Sequence, residues 1–173
     1  HYERLKKITE TMDEADVLIF TTPVYVYHCT GSMKAFLDHY GYRWMVHRPE
    51  QKMFTKQAVV ISTAAGSGTK SANKDIADSM FFWGVPKTYR YGVNVRATNY
   101  SGVTDELKKK IDKKTTSIAN KVKKNNGKVK AGLKTKGFFS IMRMIQKSGW
   151  NEADKNYWAE RGWNGKNRPW KNT

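Results

Sequence analysis

Three short apolar runs alternate with amphipathic segments in this chain, and this alternation constrains the fold more than any other feature. The runs are Val17–Phe20, Ala58–Ile61 and the weaker Tyr89–Val95, which Gly92 interrupts. Unbroken apolar runs rich in β-branched residues are typical of parallel strands covered on both faces. Strands separated by helical patterns are joined by right-handed crossovers. The sequence therefore predicts an α/β fold with a parallel sheet and flanking helices.

Helical patterns lie before, between and after these runs. Residues 2–14 form one, and Met33, Phe36, Leu37, Tyr40 and Trp44 share a face in the second. The third carries Ile76, Met80 and Trp83, with Ser71 as its expected N-cap and Gly84 as its end. Residues 104–126 form a long basic helix whose single apolar stripe consists of Val103, Leu107, Ile111, Ile118 and Val122.

The net charge of +17 is concentrated in the second half of the chain, where residues 102–173 contain 19 Lys and Arg against 6 Asp and Glu. Such a surface attracts nucleic acid or anionic membranes, but it is also the ordinary solvated face of an amphipathic helix. The apolar stripe of residues 104–126 favours the solvated face. We therefore expect neither a nucleic acid nor a membrane partner.

Aromatic residues are unusually frequent near the end of the chain, where four of the six tryptophans lie at or beyond Trp150. Disordered segments rarely contain so many aromatics. We expect a domain at 1–127 and a helical to irregular, basic, aromatic-rich extension at 128–173. A short helix is predicted at Phe138–Ile145. The extension should dock on the domain or on a second subunit, and a homodimer is expected.

The single cysteine, Cys29, excludes an internal disulfide and a zinc site built of several thiolates. No secretory or transit segment opens the sequence, so we expect a cytoplasmic protein. His28 beside Cys29 suggests a nucleophile or a metal ligand, but nothing nearby in the sequence supplies the third group that such chemistry requires. We predict no catalytic acid, base or nucleophile and no metal site.

Two loops follow predicted strands and lead into helices. The first is Thr21–Ser32 and the second is Ser62–Thr69, which is rich in Gly, Ser, Thr and Ala. In parallel sheets, ligands bind beyond the carboxyl ends of the strands. Small residues allow a close approach of backbone N–H groups, and Tyr25 and Tyr27 offer flat π-faces. These loops together are suited to a planar aromatic heterocycle.

The first loop and the helix after it resemble a known flavin-binding segment. The sequence Thr22-Pro23-Val24-Tyr25, followed by Thr30-Gly31-Ser32-Met33-Lys34-Ala35-Phe36-Leu37-Asp38, is similar to the signature of the NAD(P)H-dependent FMN reductase family, whose members are flavodoxin-like oxidoreductases. The second loop and Phe81–Gly84 resemble that family's later flavin loop and helix. The resemblance covers about residues 1–101.

This resemblance implies a flavodoxin-like parallel sheet and FMN at its carboxyl edge. Hydride would pass from NAD(P)H through the flavin to a small acceptor, such as a quinone or a second flavin. Protein groups would orient the cofactor, which performs the chemistry itself. The cofactor-binding residues implied are Thr22, Pro23, Val24, Tyr25, Val26, Thr63, Ala64, Ala65, Gly66 and Gly68.

The sequence also departs from the family pattern. Members begin with a strand and a loop that holds the FMN phosphate, and neither precedes Tyr2–Glu14 here. We expect the first βα units to be absent, with roughly 70–90 residues preceding His1, from the usual size of such units. This chain alone should then bind FMN weakly or not at all. The alternative is a non-catalytic flavodoxin-fold module that binds anionic partners through its basic half.

Overall fold

The computed structural model describes residues 2–171. Three parallel strands form one sheet in the order β1-β2-β3. The strands are β1 (Val17–Pro23), β2 (Gln57–Ala64) and β3 (Lys87–Asn94). The helices are α1 (Tyr2–Glu14), α2 (Gly31–His39), α3 (Thr69–Trp83), α4 (Asp105–Asn125), α5 (Leu133–Ser148) and α6 (Glu152–Glu160). This arrangement confirms the predicted α/β class.

Local sequence signals explain several helix ends. Thr30 caps α2 by accepting a hydrogen bond from the Met33 N–H, and Thr104 caps α4 through the Leu107 N–H. Gly84 ends α3 in the left-handed conformation, with φ of 94°. The expected cap at Ser71 is wrong, because Ser71 lies within α3, which begins at Thr69 after its N-cap Gly68.

The first core lies on one face of the sheet, between the strands and helices α1 to α3. Its buried members include Leu18, Phe20, Val60, Met80 and Trp83. Helix α4 packs on the opposite face, where Ile118 is buried and the Gln57 side chain donates to the Val122 carbonyl. The lysines of α4 outside this contact face solvent, as predicted.

Strand β1 differs from the prediction that both of its faces are covered. Leu18 and Phe20 are buried, but the Ile19 side chain on the other face is 67% exposed. Helix α4 covers only part of this face. An apolar groove of about 580 Å³ remains between Ile19, Ile61 and Val122 of α4. The unbroken apolar run therefore predicted the strand correctly and its burial incorrectly.

The C-terminal extension docks on the rest of the chain through a second, aromatic core. Helix α5 is longer than predicted and contributes Phe139 and Met142, while α6 and the segment after it contribute Trp158 and Trp163. These side chains enclose Met45 and Phe54, which belong to the connection between α2 and β2. These residues of the extension therefore dock on another part of the same chain, which was one of the two expected positions.

Polar contacts also join the extension to the connection between α2 and β2. The Asp154 carboxylate is buried, and its two oxygens lie 2.8 Å from Nδ1 of His47 and 3.2 Å from Nε of Arg48. The Trp158 indole N–H donates to the His47 carbonyl, and the Tyr157 hydroxyl donates to the Pro49 carbonyl. A buried carboxylate needs such partners, because charge is costly to remove from water.

Two tryptophans of the extension should differ sharply in their contribution to stability. Trp158→Ala removes a fully buried ring and its hydrogen bond, so it should lower the free energy of unfolding by about 3–5 kcal/mol. Trp150→Ala removes a largely exposed ring and should cost less than about 1 kcal/mol. Urea unfolding measures both. Equal losses would contradict the docked position of α6.

The pH dependence of stability should also depend on the extension. Burial raises the pKa of Tyr157 from 10.0 to about 12. Between these two pKa values the Tyr157 phenol is ionised in the unfolded chain but still protonated in the folded protein. The stability due to this group therefore decreases as pH rises from about 10 to 12.

Replacing Tyr157 by Phe should make the alkaline loss of stability shallower, while the variant loses one hydrogen bond at neutral pH. Tyr100→Phe is the matched control, because Tyr100 is exposed. Urea unfolding at pH 8 and at pH 11 measures the difference. If wild type and Tyr157→Phe lost equal stability over this interval, the burial of the phenol would be refuted.

Candidate flavin site

The two predicted loops meet at one edge of the sheet. Pro23 in β1 lies opposite Thr63 in β2, so the loops leave neighbouring parallel strands at the same level. The Val24 N–H then donates a hydrogen bond of 2.8 Å to the Thr63 carbonyl, which extends the pairing into the first loop. The structure thus brings the predicted residues 22–26 and 63–68 together.

Gly68 is where the two loops touch most closely. Its φ is 94°, and a Cβ there would lie 2.6 Å from Cγ1 of Val24 and 2.9 Å from Cα of Tyr27. Both the backbone conformation and the contact therefore require glycine. Gly66, in the same loop, has open space around it instead.

The first loop folds into a tight turn with an unusual backbone. Tyr25 and His28 exchange two backbone hydrogen bonds, of 3.0 and 3.1 Å. Between them Val26 and Tyr27 have φ of 49° and 68°, as in a type I′ turn. A β-branched residue is strained in this region, at a cost of about 1–3 kcal/mol. The turn holds the side chains of Tyr25, Val26 and Tyr27 out in solvent.

Helix α3 anchors this turn through Asp75. One carboxylate oxygen of Asp75 accepts the Cys29 N–H at 3.2 Å and lies 3.0 Å from Nδ1 of His28. Burial and the Asp75 carboxylate raise the pKa of the Cys29 thiol, so the thiol stays protonated near neutral pH. His28 and Cys29 therefore serve to fix the loop, and the sulfur is a poor nucleophile.

Thr22 and Ala64 differ from the other predicted site residues, because their side chains are buried. The Thr22 hydroxyl accepts the Thr30 N–H and donates to the Pro23 carbonyl, so it links the strand end to the start of α2. Only the backbone of these two residues can contribute to a ligand site. Pro23, Tyr25, Val26, Thr63, Ala65 and Gly66 are exposed at the edge, and Val24 and Gly68 are partly so.

Unused backbone donors collect at this edge. Within residues 2–171, the N–H groups of residues 26 and 27 and of residues 65–68 donate to no protein acceptor. Such groups suit a ligand that carries ring carbonyls and nitrogens, because they can donate without displacing a protein hydrogen bond. The residues present at this edge therefore fit a flat, polar-edged heterocycle.

Two grooves flank the joined loops. One, of about 640 Å³, is lined by Pro23, Tyr25, Thr30, Ser32 and neighbouring residues at the start of α2. The other, of about 790 Å³, lies between Ala65 and residues 96–99, 101 and 102, and includes the exposed Arg96. Both have the size of small-molecule sites.

Sequence reasoning missed two residues that shape this edge. Asp75 lies in the middle of α3, and nothing in the local sequence links it to a turn 47 residues earlier. Asn94, at the end of β3, donates from its side chain to the Gly66 carbonyl at 2.6 Å. The sequence signal that could have identified Asn94 is its position as a polar residue at the end of a strand.

Comparison with known proteins agrees with the signature in the first loop. The sequence profile of the NADPH-dependent FMN reductase family matches residues 1–97. The chain belongs to this family. The predicted flavodoxin-like class is thereby confirmed together with the parallel sheet. No curated protein matches the sequence.

Several solved structures are similar to this member of the FMN reductase family. The apo form of an NADH:FMN oxidoreductase has 20% identity, covers 76% of this chain and 63% of its own, and gives a TM-score of 0.48. A flavone reductase has 14% identity, with 70% and 44% covered and a TM-score of 0.48. General stress protein 14 from Treponema denticola, in complex with FMN, has 8% identity, with 68% and 71% covered and a TM-score of 0.45. The chain thus spans 63% of the first of these proteins.

Across residues 2–171, no group of three or more His, Cys, Asp or Glu is placed to hold a metal ion. Over the same range, no helix combines the length and apolar character needed to cross a membrane.

Two glycines of the second loop should respond differently to substitution. In the full-length gene product, Gly68→Ala forces a left-handed alanine against Val24 and Tyr27. It should therefore separate the two loops and weaken FMN binding by about tenfold or more, from a strain of a few kcal/mol. Gly66→Ala meets open space and should change FMN binding little. Quenching of FMN fluorescence measures both. Equal dissociation constants would show that contact between the loops does not shape the site.

Proposed function

We propose that this chain is the flavin-binding part of an FMN-dependent oxidoreductase that passes hydride or electrons from NAD(P)H to a small acceptor, such as a quinone or a second flavin. The observation that carries the proposal is the meeting of residues 22–26 and 63–68 at one edge of the sheet, joined by the hydrogen bond from Val24 to Thr63. Membership of the NADPH-dependent FMN reductase family supports the choice of cofactor and reductant.

In this proposal the first loop holds the isoalloxazine ring along Pro23–Tyr25, with backbone groups of residues 24–26 as its hydrogen-bonding partners. Residues 63–68 flank the remaining part of the ring. The free N–H groups of residues 65–68 are suited to this role, because they donate to no other protein group within residues 2–171. Thr22 and Ala64 contribute only backbone groups, since their side chains are buried.

When bound, FMN supplies the hydride-accepting chemistry, so the chain needs no acid, base or nucleophile of its own. The protein's task is orientation. The rigid turn at Tyr25–His28, anchored by Asp75, presents the Tyr25 ring at a fixed place beside the groove. Groups that are already in place when the ligand arrives lose little entropy on binding.

We also propose that residues 1–127 form the flavin-binding unit and residues 128–173 an extension that supports it. The extension covers Met45 and Phe54 of the connection between α2 and β2. We further propose that the protein is a cytoplasmic homodimer. Size-exclusion chromatography with light scattering measures its mass in solution.

A second function is favoured by one observation on the charge distribution. Residues 113–151 contain eleven Lys and Arg and no Asp or Glu. In the alternative, the chain is a non-catalytic flavodoxin-fold module that binds anionic partners through this basic half. Retardation of DNA at physiological ionic strength, with a steep dependence on salt, favours this alternative.

The flavin proposal predicts a contrast between two exposed tyrosines. In the full-length gene product, purified from an ordinary host, Tyr25→Ala should lower FMN occupancy markedly, because Tyr25 lines the groove beside the first loop. Tyr100→Ala should leave it unchanged, since Tyr100 is as exposed as Tyr25 but lines neither of the two grooves. Lys123→Ala, on α4, is a further control.

Flavin absorbance per mole of protein gives the occupancy, and bleaching by NADPH under anaerobic conditions tests the reduction. A colourless full-length protein that takes up no FMN refutes the enzyme proposal. Equal occupancy in the Tyr25 and Tyr100 variants would leave an oxidoreductase but would reject the site assigned to it.

A further inference from the structure

Helix α5 has two apolar faces, and only one of them is used by the fold. The buried face carries Phe139 and Met142, which belong to the second core. The other face carries Leu133, Ile141, Met144 and Ile145, which are exposed. At 3.6 residues per turn these four fall within an arc of about 120°. Ile141, Met144 and Ile145 lie within about one turn of one another, and Leu133 lies on the same side about two turns earlier, with Gly137 between. This exposed face is called here the α5 stripe.

Exposure along the α5 stripe is high for apolar residues of this size. Leu133 is 90% exposed and Met144 61%. Trp150, which follows the end of α5, is also largely exposed. Scattered exposed apolar side chains are ordinary on protein surfaces, but a cluster such as Ile141, Met144 and Ile145 marks a contact with a partner or a membrane.

The charge around the α5 stripe indicates what that partner is. Lys136 and Lys147 lie on the same helix, both are exposed, and neither forms an ion pair within residues 2–171. The ammonium of Lys134 lies 4.4 Å from the centre of the Phe81 ring. Helix α5 contains no acidic residue, and none occurs anywhere from residue 113 to residue 151. The charges on helix α5 itself are thus all positive.

A second copy of this chain is a poor fit to such a surface. In a twofold contact the same patch meets itself, so the lysines of one α5 would approach those of the other with no carboxylate on either helix to pair them. Nucleic acid fits the charge, but its phosphates and bases gain little from the aliphatic side chains of Leu133, Ile141 and Met144.

An anionic bilayer surface satisfies both properties. Apolar side chains enter the boundary between headgroups and acyl chains, while Lys and Arg remain among anionic headgroups. The outer side of a helix is convex, and a bilayer accepts a convex face without a complementary groove. We propose that the α5 stripe and Trp150 attach the protein reversibly to an anionic lipid surface. This proposal departs from the sequence-based expectation of no membrane partner.

Vesicle sedimentation tests this proposal without reference to flavin or activity. The protein should pellet with phosphatidylcholine vesicles that contain phosphatidylglycerol, should stay in solution with pure phosphatidylcholine, and should be released as salt increases. Leu133→Ser combined with Met144→Ser should weaken this binding by about tenfold or more, because each lost apolar group reduces the buried hydrocarbon.

The matched control is Ile19→Ser, which removes an exposed apolar side chain of similar accessibility from the sheet face. It should bind vesicles as wild type does. A charge pair extends the test: Lys136→Gln with Lys147→Gln should weaken binding more than Lys52→Gln with Lys70→Gln, although both remove two charges. Circular dichroism checks that each variant is folded.

Three results would overturn the proposal. One is the absence of pelleting with anionic vesicles. Another is equal pelleting of the double serine variant and Ile19→Ser. The third is a protein that ignores vesicles but changes from dimer to monomer in sedimentation velocity when the α5 stripe is substituted, which would assign this face to a second copy.

Discussion

The parallel register of β1 and β2 is the constraint on which the candidate site depends. It sets Pro23 opposite Thr63, so that two loops far apart in sequence begin side by side. The hydrogen bond from Val24 to the Thr63 carbonyl and the close contact at Gly68 then join the loops into one edge. A shift of register by one residue would reverse which side chains face the core and would separate these contacts.

The second core gives the extension a structural role that its composition did not specify. Trp158 and Trp163 are fully buried against Phe139, while Asp154 lies buried between His47 and Arg48. These contacts fix the connection that leads from α2 into β2. The extension therefore packs against the connection that leads into the central strand β2, the strand from which one of the two loops at the candidate site begins.

The sequence predicted most of what depends on periodicity and little of what depends on distant pairs. The strands, the solvent face of α4 and the meeting of both loops at one edge followed from apolar runs and from the geometry of parallel sheets. The exposure of Ile19 did not, because burial depends on how far α4 reaches across the sheet. Asp75 was also missed, since no local pattern marks a side chain that will cap a turn 47 residues away.

The second core has a consequence for how the chain is made. Met45 and Phe54 emerge from the ribosome long before Trp158 and Trp163, the rings that cover them. During that interval the sheet can form, but a patch of bare hydrocarbon remains on the nascent protein, where it can associate with other chains. The second core therefore closes only after residues 158 and 163 have been synthesised.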